Sequence, residues 1–202
     1  MCVLVSNKNQ ESESPMKILH VDSSILGENS ATRAMTAHAI DKLREQYPDA
    51  TIERLDLVAD PIAHLTGGFP SANEHLRQMQ GADLLVVGAP TYNFTVPTQL
   101  KAWIDRLAVA GETFRYTETG SEGLAGDTRV IVAIASGGHY DDGHAFEHNK
   151  SYLKAIFNFM GIEPEFAEAR GLAMGEEARA EGLAKGIAAI EALAVSPALE
   201  PA

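Results

Sequence analysis

The sequence predicts an open α/β domain in which five parallel strands, in the order 2-1-3-4-5, carry helices on both faces. Three observations support this. The runs Ala82–Ala89 and Thr128–Ala135 are short, apolar and β-branched, as strands buried on both faces are. Strand-like and helix-like segments alternate along the chain, which favours parallel pairing through crossover helices. A length of 202 residues with 45% hydrophobic content is the size of one domain, and five strands suit the doubly wound order.

Lys17–Asp22 reads as the first strand and Ser23–Ser30 as the loop after it. A helix starts at Ala31 with Ser30 as its N-cap; Met35, Ala39, Leu43 and Tyr47 form its apolar stripe, and Pro48-Asp49 stops it. Thr51–Leu57 alternates polar with apolar residues and is expected at a sheet edge. Ala59–Pro70, with two prolines and two glycines, is an irregular connection. Ser71-Ala-Asn-Glu74 has the spacing of a capping box and opens a short helix ending near Gly81. After the third strand, Leu100, Trp103, Ile104, Leu107 and Ala108 repeat at helical spacing, predicting a helix through Ala110. Gly111–Gly123, which contains Phe114 and Tyr116, reads as a long loop of functional or interface type.

The fourth strand, Thr128–Ala135, feeds the glycine-rich loop Ser136–Gly143. Tyr152, Leu153, Ile156, Phe157, Phe159 and Met160 make a helix apolar over much of its circumference, which the sheet or another subunit must cover; Gly161 ends it. Pro164–Ala169 is the fifth strand, and Leu183, Ile187, Ile190 and Leu193 mark the last helix. The domain is expected over residues 16–195. Residues 1–15 are expected to be a disordered tail before a natural start at Met16, and 196–202 a C-terminal tail.

A formal net charge of −12 opposes binding to nucleic acid or an anionic membrane surface, and no apolar run approaches the roughly 20 residues of a membrane span. Cys2 is the only cysteine, so an internal disulfide and a thiolate metal cluster are both excluded; a cytoplasmic location fits this. The first residues lack the apolar core and basic start of a signal peptide. His144 and His148 stand four apart near Asp141, Asp142 and Glu147, but the H-x-x-x-H spacing lacks the glutamate of H-E-x-x-H and a third ligand, so no metal is expected. G-x-S-x-G is absent, which weakens hydrolase readings.

Three loops leave the carboxyl ends of neighbouring strands: Ser23–Thr32, Pro90–Phe94 and Ser136–Gly143. The first brings Ser24, Ser30 and Thr32 hydroxyls to a helix start, a site suited to one phosphate. It lacks both G-x-x-x-x-G-K-[ST] and G-x-G-x-x-G. The second, with Pro90, Tyr92, Asn93 and Phe94, suits a flat ring. Taken alone, the first loop reads equally well as a capped βα turn, Tyr92 and Phe94 also read as packing aromatics with Pro90 and Pro97 as punctuation, and Gly137-Gly138 as an ordinary turn. Together on one sheet edge, they suit FMN.

Ser23-Ser-Ile-Leu26, Ala89-Pro-Thr-Tyr-Asn-Phe94, Gln99-Leu-Lys101, Thr113-Phe-Arg-Tyr-Thr-Glu118 and Gly123-Leu124 resemble the FMN-dependent NADH azoreductases, also described as NADH:quinone oxidoreductases, with a likeness running from about Met16 to Ala194. The resemblance implies a flavodoxin-like fold and a homodimer with active sites at its interface. It also implies FMN phosphate on Ser24, Ser30, Ala31 and Thr32, and the ring against Thr91–Phe94 and Ala135, Ser136, Gly137 and Gly138. Tyr116 and Phe159 would reach the site from the partner subunit, with Asn93 and Tyr140 as polar contacts near the ring. Family members often carry Met in place of Thr91 and Arg in place of Ser136, and a relative has Ile-His where His139-Tyr140 stands here.

The activity implied is reduction of quinones and azo compounds by NADH or NADPH in a ping-pong sequence, with no side chain acting as nucleophile. The rival readings are a flavodoxin-type electron carrier, whose acidic surface would suit a basic partner, and an α/β scaffold without flavin.

Overall fold

The computed structural model describes residues 14–196 apart from Phe69, so the two expected tails lie almost wholly outside the described residues. The chain runs β1 (Lys17–Asp22), a 3-10 turn (Gly27–Asn29), α1 (Ala31–Gln46), β2 (Thr51–Asp56), α2 (Glu74–Gln80), β3 (Leu84–Pro90), α3 (Thr98–Ile104), β4 (Phe114–Thr117), β5 (Gly120–Gly123), β6 (Arg129–Ala135), α4 (Lys150–Phe159), β7 (Glu165–Ala169) and α5 (Glu176–Val195). Five strands pair in parallel in the order β2-β1-β3-β6-β7, which is the expected 2-1-3-4-5 order with a hairpin inserted. No described helix is long and apolar enough to cross a membrane.

The sheet separates two cores, because successive side chains of a strand point to opposite faces. Ile18, Leu84, Val86 and Ile131 meet Met35, Ala39 and Leu43 of α1 and Ile190 of α5 on one face. Leu85, Val87 and Val132 meet Leu76, Trp103, Leu153 and Phe157 on the other. Double-sided burial is why β3 and β6 read as unbroken apolar runs, whereas β2 at the edge stays largely exposed along its length. Leu153, Phe157 and Met160 bury one stripe of the α4 segment; Tyr152, Ile156 and Phe159 remain only half covered.

Three expectations need correction. The N-cap of α2 is Asn73, whose side chain accepts from Leu76 N at 3.1 Å, so the capping box at Ser71 is not used. The helix expected through Ala110 stops at Ile104. Buried Thr113 explains this, because its hydroxyl donates to the Leu107 carbonyl at 2.8 Å and accepts from Val109 N at 3.0 Å, taking backbone groups a longer helix would need. Gly111–Gly123 is not a structureless loop but carries the antiparallel hairpin β4–β5, which docks on α4 where Gly123 meets Gly161. A Cβ on Gly123 would stand 2.1 Å from Gly161 N, so only backbone against backbone fits there.

The last helix forms where Leu183, Ile187, Ile190 and Leu193 mark it. Gly182, Gly186, Ile190 and Ala194 are the buried positions, with Leu183, Ile187 and Leu193 on the flanks. A Cβ at Gly182 would lie 2.2 Å from the Arg170 carbonyl oxygen. Replacing glycine by alanine within a helix ordinarily stabilises by about 1 kcal/mol. Here the sign should reverse: Gly182→Ala is expected to destabilise the fold by about 1–3 kcal/mol, seen as a lower urea midpoint. A raised midpoint would show that α5 shifts freely away from the end of β7.

Candidate functional site

The carboxyl ends of β1, β3, β6 and β7 open on a cavity of about 190 Å3. Ser24, Asn29, Ser30, Ala31 and Thr32 form one end of it. Ser30 caps α1 by accepting from Arg33 N at 3.2 Å, and its hydroxyl lies 3.1 Å from that of Thr32. The N–H groups of Ala31 and Thr32 have no protein acceptor among the described residues, as expected of the first turn of a helix. Hydroxyls and free N–H groups at the positive end of a helix dipole make an anion cradle.

Pro90, Thr91 and Tyr92 line one side of the cavity, and Ala135, Ser136 and Gly137 line another. Thr91 N donates to the Ala135 carbonyl at 2.8 Å, carrying the pairing of β3 with β6 one step further. The chain then reverses in a two-residue turn. Tyr92 and Thr95 exchange backbone hydrogen bonds of 2.9 and 3.2 Å, while Asn93 and Phe94 sit at φ +48° and +74°. Both signs are those of a type I′ turn, whose second position favours glycine. Phe94 occupies it because its ring is gripped: it stacks on Phe146 at 4.7 Å and meets Tyr140 edge-on at 5.9 Å. The Tyr92 hydroxyl reaches back to the first loop, lying 3.1 Å from Ser24 Oγ and accepting from Ile25 N at 3.2 Å.

Beneath the anion end lies a set of charges. Asp22, at the end of β1, is buried and accepts from Arg54 Nη2 at 2.7 Å and from the Thr36 hydroxyl at 3.1 Å. Burial acts to raise its pKa, but His20, Arg54 and Arg33 together outweigh it and hold the carboxyl below its ordinary value. Arg33 donates to both Asp56 oxygens, at 2.7 and 2.8 Å, and to the Ser24 carbonyl, at 3.0 and 3.2 Å. The same pair of bonds from Arg33 holds Asp56 well below the usual carboxylate range, against the opposing effect of burial.

A family model described as a flavodoxin-like fold matches residues 16–194. The chain belongs to that family. Within it, the chain is 46% identical to an FMN-dependent NADH:quinone oxidoreductase of Xanthomonas campestris pv. campestris, over 89% of this chain and all of that one. It is 47% identical to a protein of the same description from Ralstonia nicotianae, over 83% of this chain and 92% of that one. Among solved structures, an azoreductase from Bacillus anthracis str. Sterne superposes with a TM-score of 0.80 at 25% identity, covering 89% of this chain and 98% of that one. An FMN-dependent NADH-azoreductase from B. anthracis str. Ames Ancestor, in complex with FMN, gives 0.76 at 28% identity, with 89% and 97% covered.

In this flavodoxin-like chain the sequence-derived residues Ser24, Ser30, Ala31, Thr32, Pro90, Thr91, Tyr92, Ala135, Ser136 and Gly137 come together around one cavity. Phe94 and Tyr140 stand beside it, in a narrow adjoining cleft with Phe146 and Asn149. Asn93 is exposed at the tip of the turn, and Gly138 packs against the Tyr140 ring. Tyr116 and Phe159 do not line the cavity; both pack on Phe114 beside the hairpin. His144 and His148 join no cluster of three or more metal-ligating side chains among the described residues.

Sequence reasoning passed over Leu172, Ala173 and Arg179, which line the cavity from the connection after β7 and the start of α5. The rule that picked out the other three loops applies equally to this one. Arg179 contributes a cation beside the anion end, where it donates to the Asn29 carbonyl at 2.9 Å. Asn149, at the start of α4, was passed over as well.

Asp22 and Asp56 have folded-state pKa values below their unfolded ones, so the stability they contribute is complete above about pH 4 and lost as the pH falls through the depressed values. Arg33→Gln removes the chief cause at Asp56. Urea titrations are expected to show the variant about 2 kcal/mol less stable at pH 7, with the gap closing below pH 4. A gap independent of pH would mean that Arg33 acts by packing alone.

Proposed function

We propose that this chain is an FMN-dependent oxidoreductase that uses NADH to reduce quinones and azo compounds, as its relatives' descriptions imply. The observation that carries the reading is the cavity itself. Free N–H groups of Ala31 and Thr32, with the hydroxyls of Ser24, Ser30 and Thr32, stand at one end, and the Pro90–Tyr92 and Ala135–Gly137 segments wall the other. That donor set fits a single phosphate, and the walls fit a flat ring. A Cβ at Gly137 would press on Ala173 across the rim at 3.1 Å, so the glycine keeps this side open.

FMN, when bound, would supply hydride acceptance and donation. The chain's own groups bind and orient. Ser24, Ser30, Ala31 and Thr32 would hold the phosphate, with Arg179 adding charge; Thr91 and Tyr92 would hold the ring edge; Phe94, Tyr140 and Phe146 would offer an aromatic side to planar substrates. One aromatic-sided place serves NADH and the acceptor in turn, which makes the kinetics ping-pong. The lone cysteine suits the cytoplasm as its compartment.

The expected test starts with the protein incubated with FMN and desalted. It should keep a yellow flavin spectrum that NADH bleaches without air, and initial rates with NADH and a small quinone should give parallel double-reciprocal lines. No retained flavin would overturn the function; intersecting lines would overturn the shared place alone.

We further propose that the working form is a homodimer. Tyr116 is 76% exposed at the edge of a mostly apolar cleft of about 510 Å3 formed with Pro70, Ala108, Val109 and Phe114, and α4 leaves Ile156 and Phe159 half covered. An aromatic so exposed beside an apolar hollow suits a second copy of the chain. Sedimentation should give twice the chain mass. Tyr116→Ser should lower quinone turnover at least tenfold while leaving the Tm within a few degrees. A monomeric wild type, or unchanged turnover in the variant, would remove the partner's role.

A further inference from the structure

Asn149 is the N-cap residue of α4, where an asparagine side chain ordinarily accepts from N–H groups of the first turn. It makes no such bond. Glu147 takes over the task, its carboxylate accepting from Lys150 N at 2.7 Å and Ser151 N at 3.1 Å. Asn149, only 2% exposed, turns instead to the end of β3: its Nδ2 donates to the Ala89 carbonyl at 3.1 Å and to Thr91 Oγ1 at 2.8 Å. The orientation of this amide follows from chemistry, since a backbone carbonyl can only accept and the NH2 group must face it. Among the described residues, Asn149 Oδ1 is left buried without a protein partner. A helix cap that gives up its local bond and leaves an oxygen unpaired marks a position where local preference yields to another demand.

The consequence falls on Thr91. Its oxygen already accepts from Asn149, and its own O–H has no protein acceptor among the described residues. Thr91 lies on the wall of the cavity, between the anion end and the aromatic cleft. We propose that Thr91 donates this hydroxyl proton to an acceptor atom on the edge of the bound FMN ring, with Asn149 as the positioning residue that holds the hydroxyl in its donating sense, and that the pair raises the cofactor's reduction potential. The proposal rests on the FMN reading above. Ring acceptors gain electron density on reduction, so a donor aimed at them binds the reduced state more tightly than the oxidised one. A Met at position 91 would have no proton to give.

The test uses the FMN-loaded protein and its variants Thr91→Val, Thr91→Ser, Asn149→Ala and the double variant Thr91→Val/Asn149→Ala, with midpoint potentials read by equilibration against reference dyes. Thr91→Val should lower the ratio of reduced to oxidised FMN affinity about tenfold, a fall of about 30 mV for the two-electron couple. Thr91→Ser should keep the wild-type potential. Asn149→Ala should lower it, and should add nothing once Thr91 is valine. An unmoved potential in Thr91→Val, or an equal fall in Thr91→Ser, would overturn the donor role; additive falls in the double variant would overturn the positioning role of Asn149. If Asn149→Ala does not fold, the valine and serine variants decide the donor role by themselves. A wild-type chain that takes up no FMN overturns the function and this inference with it, whereas a loaded chain with an unmoved potential overturns the inference alone.

Discussion

A buried carboxylate has to be answered by nearby donors, and in this chain the answer to Asp22 organises the site. Asp22 ends β1 inside the protein, where an unpartnered charge would cost several kcal/mol. Arg54 comes from β2, Arg33 and Thr36 from α1 and His20 from β1 itself, so neutralising one group ties three elements together. Arg33 then spends its remaining donors on Asp56 and the Ser24 carbonyl. The loop bearing the anion cradle is therefore held from below by charge-assisted bonds, which leaves Ser30, Thr32 and the free N–H groups of the helix start facing the cavity.

The second loop is held from the side. Tyr92 joins it to Ser24 and Ile25, Asn149 to the end of β3, and Phe94 to the aromatic residues of the connection after β6. Each wall of the cavity leans on a different element, yet every tie crosses at the carboxyl edge of the sheet. Parallel pairing makes this possible, because β1, β3 and β6 all end on that one edge.

Much of this was legible because it depends on periodicity and on end signals. Buried strands announce themselves as continuous apolar runs, and Ser30 before Ala31 is an N-cap by chemistry alone. What stayed hidden depends on contacts distant in sequence. Thr113 cuts α3 short through hydrogen bonds to residues that helical spacing would have kept in the helix. In the hairpin only β4 alternates aromatics, while β5 is Gly-Ser-Glu-Gly with no β-branched or aromatic residue, and the pair is held by Gly123 against Gly161, a contact no local pattern encodes. Asn149 resembles an ordinary helix cap in sequence; only its bonds to Ala89 and Thr91 reveal that it serves the neighbouring strand.

The turn at Asn93-Phe94 has a consequence for how this protein can change. A bulky residue in the left-handed region is disfavoured by roughly 1–2 kcal/mol, and glycine at Phe94 would relax the backbone at once. The same replacement would strip the ring from Phe146 and Tyr140, setting the relief of the backbone against lost aromatic packing beside the cavity. Backbone ease and aromatic packing at the cavity's edge are therefore opposed at this one position.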